Sequence, residues 1–158
     1  MPLTDVAPIE ATIEIAAPPS VVWDLVSDLR NMARWSPQTM KSILRGANGP
    51  GARFLNLNRK GLLVWPTQSK VVRFEEGTEI AWRVKENFTV WSLHLEPTAD
   101  GGTRVVQRRE APDGISDVSV NLTKVAFGGV PKFNETLRAD MQRTLARIKA
   151  DAEQAAGK

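Results

Sequence analysis

The chain has 158 residues, no cysteine, five tryptophans, no tyrosine and a formal net charge of +3 at pH 7. That length suits one ordinary domain with one core, and the absent thiols exclude disulfides, cysteine nucleophiles and thiolate metal sites. No run of about 18 apolar residues spans a bilayer and MPLTDVAPIE lacks the regions of a secretory signal, so a soluble, cytoplasmic protein with no integral membrane association is expected.

Residues 9–16, IEATIEIA, alternate Ile9, Ala11, Ile13 and Ile15 with Glu10, Thr12 and Glu14, the period of a strand with one wet face. In AAPPSVVWDLVSDLRNMARW the prolines stand where a helix can begin, and Val22, Leu25, Val26 and Leu29 recur at helical spacing. Asn31 is placed to cap a second short turn holding Met32 and Trp35, which Pro37 ends. From Met40 to Pro112 glycine-containing turns (46–51, 59–61, 75–77, 99–102) separate TMKSILR, ARFLNLN, TQSKVVRF, TEIAWRV, FTVWSLHLE and TRVVQRRE, a meander of about six antiparallel strands. After Asp113 the helical period returns: Val118, Leu122 and Val125 form one face, GGVP interrupts it, and Phe133, Leu137, Met141, Leu145 and Ile148 form a long apolar stripe on a helix of about 25 residues. That stripe must be buried, and the only large partner is the concave face of a twisted sheet, which leaves a cleft between the two.

The residues expected around that cleft follow from parity. Trp82 shares a face with Ile80 and Val84, Trp91 with Leu93 and Leu95, Trp65 heads a strand, and Trp35 stands near the cavity mouth; each indole reads as core or as pocket lining. An inward Phe54 carries Asn56 and Asn58 with it, and an inward Val105 carries Gln107 and Arg109. The competing readings are an edge or turn role for Asn58 and Gln107, and a surface charge beside Glu110 for Arg109. An inward Arg109 would suit a carboxylate or phenolate on an apolar ligand. On the helix, Phe133, Leu137 and Met141 face the same space.

Other chemistry finds little support. His94, the only histidine, falls with Ser92 and Glu96 on the face taken as solvent, without a second metal ligand or nucleophile partner. Glu14, Asp24 and Asp28 sit on wet faces, as do Glu135, Asp140 and Asp151, which alternate with Arg138, Arg143, Arg147 and Lys149 on the last helix. No inward acid offers a general base. Neither a phosphate-binding loop nor a dinucleotide fingerprint is present, so no metal and no cofactor is expected. The basic residues are spread along the chain without base-stacking aromatics, and nucleic acid is not an expected partner.

The order and spacing of APPSVVWDLVSDLRNMARWSP, GARFLNLNR, EIAWRV, WSLHLEP, GGTRVV and LRADMQRTLARIKADAE resembles the polyketide cyclase/dehydrase-like branch of the START-related (SRPBCC, Bet v 1-like) superfamily. The resemblance spans about residues 9–153 and implies an α+β helix-grip fold. In that fold a seven-stranded antiparallel sheet wraps a long C-terminal helix, two short helices lie between the first two strands, and a hydrophobic cavity opens inside. Members bind lipids, sterols, polyketides, hormones or aromatic compounds, some catalyse cyclisation or dehydration, and no catalytic residue is common to all. The resulting expectation is binding or carriage of a small hydrophobic ligand. The alternatives are a cyclase/dehydratase-type enzyme using Arg109 or Gln107, and a protein-interaction module presenting Leu55 and Leu57. A homodimer is left open.

Overall fold

The structure, a computed structural model, describes residues 8–112 and 130–157, with side chains from residue 134 in the second segment. The expected helical face at Val118, Leu122 and Val125 lies outside these residues, as does the side chain of Phe133. In chain order the elements are β1 (Ile9–Ile15), α1 (Pro19–Val26), a 3-10 turn (Leu29–Asn31), α2 (Met32–Trp35), β2 (Thr39–Arg45), β3 (Arg53–Lys60), β4 (Leu63–Glu75), β5 (Glu79–Val84), β6 (Val90–Pro97), β7 (Thr103–Glu110) and α3 (Val130–Ala156). The seven strands form one antiparallel sheet in the order β1-β7-β6-β5-β4-β3-β2. This is the helix-grip arrangement.

Because β1 and β2 occupy opposite edges, the connection between them must cross the whole sheet, and the short helices make that crossing. Pro19 opens α1 at a position where its missing N–H costs nothing. Asn31 stands at the N-cap of α2 but its side chain makes no cap bond there; the 3-10 turn before it is capped by Asp28, whose carboxylate accepts from the Arg30 backbone N–H at 3.0 Å and from the Arg30 guanidinium at 2.6 Å. The Arg30 side chain thereby holds Asp28 below the usual carboxylate range. Asn31 instead donates its Nδ2 to the Leu25 carbonyl at 2.8 Å.

Two turns need glycine for different reasons. Gly61 takes φ 61° at the first central position of the two-residue Gly61-Leu62 hairpin between the paired Lys60 and Leu63. At Gly102 a Cβ would stand 2.6 Å from the Ile15 carbonyl oxygen, so the close approach of the β1 end and the β6–β7 turn excludes any side chain. Pro66 is tolerated inside β4 because Gln68, of the same parity, directs its backbone groups to Glu86 and Lys85; β5 does not reach Pro66, so the missing N–H faces no strand.

The core lies between the concave sheet face and α3. Leu137, Met141, Leu145, Ile148 and Ala152 form the buried stripe of the helix against Phe54, Val71, Ile80, Leu93 and Val105 of the sheet. The wet helical face is narrower than its charge pattern suggests. Asp151 Oδ2 accepts from Trp35 Nε1 and from Arg34 Nη2, both at 2.7 Å, and Arg147 Nη1 donates to the Trp35 carbonyl at 3.0 Å. These bonds clamp α2 onto the C-terminal half of α3.

Candidate functional site

The inner faces of the strands enclose a cavity of about 170 Å³ covered by α3. Its two halves differ chemically because cross-strand register lines up unlike residues. On one side Trp82 pairs with Trp91, and Trp91 with Arg109, so two indoles and a guanidinium share one row across β5, β6 and β7. Gln107 follows two residues away on the same face of β7. Arg109 and Gln107 are 4% and 1% exposed, which settles their parity as inward. The paired basic residues Arg108 and Arg109 are thus split by the pleat: Arg108 points outward, within 3.1 Å of Glu10 and 3.2 Å of Glu110.

Burial shapes the electrostatics here. Desolvation pulls the Arg109 guanidinium down to about 10, since a charged group loses its hydration in the cavity wall. Gln107 Oε1 is buried and has no hydrogen-bond partner among the described residues. An unsatisfied buried acceptor costs free energy that a donor entering the cavity would recover.

The other half is a hydrogen-bonded floor from β2, β3 and β4. Ser42 Oγ donates to Asn56 Oδ1 at 2.7 Å, Asn56 Nδ2 to Ser69 Oγ at 2.8 Å, and Asn58 Nδ2 to Thr67 Oγ1 at 3.0 Å. Trp65 stands directly opposite Asn58 and closes this end. From the helix, Leu137 and Met141 supply apolar cover, and Asp140 brings a carboxylate into the same lining. Asp140 is 9% exposed and accepts from Gln38 Nε2 at 2.9 Å.

Nine of the residues expected around the cavity therefore line it: Asn56, Asn58, Trp65, Trp82, Trp91, Gln107, Arg109, Leu137 and Met141. Trp35 and Phe54 do not; each is 1% exposed and belongs to the filled core. Trp35 is held at Asp151, ten residues beyond Met141 and so about 15 Å further along the helix. It is a clamp and not a cavity mouth. For Phe54 the parity is right, but the inward face of β3 passes from filled core at Phe54 to open cavity at Asn56 and Asn58. Phe133 lies outside the described side chains.

Asp140 is the main residue that sequence reasoning missed, since it was assigned to the solvated face. Its spacing held the signal: 137, 140, 141, 144 and 148 recur at helical intervals, and Thr144 is buried as well. Thr67 and Ser69 were equally legible, sharing the parity of Trp65 and Val71 along β4. Ser92, expected in solvent, is 4% exposed between its cross-strand neighbours Ala81 and Arg108. His94 is on the outer face as expected, 3.8 Å from Glu79 and 3.6 Å from Glu96.

A seven-stranded antiparallel sheet covered by one long helix, with an amphipathic cavity between them, defines the helix-grip class of folds. The chain belongs to the polyketide cyclase/dehydrase and lipid transport family, whose sequence profile matches residues 7–153. No functionally curated sequence matches it. Among solved structures it is similar to the di-domain ARO/CYC StfQ of the steffimycin biosynthetic pathway, at 17% identity and TM-score 0.74, over 96% of this chain and 52% of that one. The di-domain ARO/CYC BexL of the BE-7585A pathway follows at 20% identity and TM-score 0.66, over 93% and 50%. A protein from Nitrosomonas europaea matches at 14% identity and TM-score 0.65, over 96% and 97%. The chain spans about half the length of the two di-domain proteins, and at these identities the likeness is one of fold.

Proposed function

We propose that the cavity binds a compact ligand of one or two rings carrying a hydroxyl, carbonyl or carboxylate oxygen. The observation that carries this is the pair on β7: a buried Gln107 acceptor without a partner among the described residues, and beside it a desolvated Arg109. A purely hydrocarbon ligand would leave the Gln107 acceptor as it is; a hydroxyl donates to it, and an oxygen placed beside Arg109 meets a cation already stripped of water. Size supports the same class. A cavity of about 150 Å³ accommodates benzene, whereas larger ligands fill 300 Å³ or more, so about 170 Å³ suits a small ring system better than a long acyl chain. The three indoles supply the flat apolar walls and the Asn-Thr-Ser floor receives further polar substituents.

Native mass spectrometry of the purified protein, with tryptophan fluorescence titration against 2-naphthol, salicylate and naphthalene, tests the proposal. The oxygenated compounds should quench and bind about tenfold or more tightly than naphthalene, from one or two recovered hydrogen bonds. In Gln107→Leu that preference should shrink by about tenfold for 2-naphthol, the phenol donor. Equal affinity for all three, or no binding by any, overturns it.

A second reading is favoured by Asp140: a cyclase/dehydratase-type enzyme in the same cavity. Asp140 would take a proton from the carbon between two carbonyls, the resulting carbanion would add to another carbonyl carbon, and Arg109 would hold the oxygen on which charge develops before it is protonated. Asp140→Asn retains an acceptor for Gln38 but removes the base. Cyclisation of a short linear triketide, which matches the cavity in size, followed by product mass and absorbance, should then fall by about 10²- to 10⁴-fold with ligand affinity little changed. An unchanged rate removes Asp140 from the chemistry.

A further inference from the structure

Between Asp28 and Glu75 the chain contains nine lysines and arginines and no acidic residue. Three of those cations pair with acids from outside the segment: Arg30 with Asp28, Arg34 with Asp151 and Arg73 with Glu79. Lys41, Arg45, Arg53 and Lys70 make no ion pair among the described residues. Register sets Arg45 opposite Arg53, and Arg53 opposite Lys70, on the outer face of β2, β3 and β4. Like charges directly opposed destabilise a sheet, so this row is costly unless an anionic surface meets it.

The same face is unusually apolar towards its hairpin end. Leu62, at the tip of the β3–β4 hairpin, is 98% exposed; Val64, Ile43 and Leu57 are 48%, 44% and 38% exposed, and Met40, beside the β2 bulge, 47%. Leu57 faces Pro66 and Lys41, and Ile43 faces Leu55. Lys41 stands beside Leu57, and the Arg45, Arg53 and Lys70 row lies seven residues, about 23 Å, along β3 from Lys60 at the tip, so the outer face offers an apolar end and a cationic end to one extended anionic surface.

We propose that the β3–β4 hairpin and the adjoining outer face of β2–β4 dock on an anionic lipid bilayer, with Leu62 entering the interface and Lys41, Arg45, Arg53 and Lys70 meeting the headgroups. The docking is peripheral, since no described helix is long and apolar enough to cross a membrane. Its placement ties the surface to the cavity. Asn58, two residues from Lys60, and Trp65, three from Leu62, line the cavity from the inner face of the same hairpin, so the docked tip stands beside that end of the cavity.

Co-sedimentation of the whole chain with vesicles of phosphatidylcholine alone, or with about a third phosphatidylserine, tests the docking. Binding is expected to the anionic vesicles only and to fade as salt rises from about 0.1 M to about 0.5 M. Leu62→Ser should weaken it by roughly tenfold, the worth of burying one leucine, and Arg53→Gln with Lys70→Gln by at least tenfold. Because Leu62 has almost no contacts to lose, its variant should keep the wild-type melting midpoint. The chain has no cysteine, so an environment-sensitive dye on Val64→Cys reports one site and should shift to the blue only with anionic vesicles. Failure to sediment with either vesicle, equal binding to both, or wild-type binding by Leu62→Ser overturns the proposal. So does binding to duplex DNA or polyglutamate without vesicle binding, or self-association that Leu62→Ser abolishes while vesicles remain unbound.

Discussion

Arg109→Met should lose the preference for oxygenated ligands and at the same time melt at a higher temperature. In the wild type the guanidinium is pulled down to about 10 by burial, so the folded state pays to hold the charge. The group binds its proton more weakly folded than unfolded. The penalty is therefore present in full at every pH below about 10 and disappears only as pH rises from there towards the ordinary arginine value, where the unfolded chain too loses its proton. A gap of that size corresponds to about 3 kcal/mol at neutral pH. Methionine fills similar space without the charge, so the variant is freed of that desolvation cost while giving up the contacts the guanidinium makes. For a chain of this length each kcal/mol moves the midpoint by roughly 2–4 °C. Calorimetry of both proteins, with and without salicylate, should show the variant more stable alone and no longer stabilised by the ligand. A variant that melts lower and still binds salicylate like the wild type would take Arg109 out of the site.

Trp35→Ala should be the most destabilising single change in the described core. It removes an indole that is 1% exposed, leaves a cavity between α2 and α3, and deprives Asp151 of its 2.7 Å donor. Losses of about 3–5 kcal/mol are usual for removing such a side chain, and urea unfolding should show a midpoint shift of that size. Trp35→Phe keeps most of the volume and should lose about 1–2 kcal/mol, mainly the Asp151 bond. Because Trp35 does not line the cavity, Trp35→Phe should bind 2-naphthol within about twofold of wild type. A large change in affinity with little change in stability would return Trp35 to a gating role.

The same residue shows where sequence reasoning stops. A tryptophan and a proline after a short helix mark a place where the chain turns, and RNMARWSPQT identified that turn correctly. Whether the indole faced solvent, cavity or core depended on where Asp151, more than a hundred residues later, would stand. Arg109 and Gln107 were legible because the strand period fixes a face: once Val105 points inward, so must they. Asp140 was misassigned because a charge beside other charges reads as solvated, although its spacing from Leu137 and Met141 placed it at the margin of the buried stripe. The cationic row was invisible for a different reason. Arg45, Arg53 and Lys70 are separated in sequence by turns and alternating residues, and only antiparallel register brings them side by side.

Local periodicity and turn chemistry therefore determined the elements, their order and which side chains share a face, and the succession of motifs determined the family, because these depend on neighbours within a few residues. The tertiary structure decided depth, partner and charge: which inward side chains meet open cavity and which meet packed core, that a helical carboxylate enters the cavity lining, and that cations from separate strands converge on one outer face. Those are properties of contacts between residues distant along the chain, set by register and by the seat of the long helix, and no local pattern encodes them.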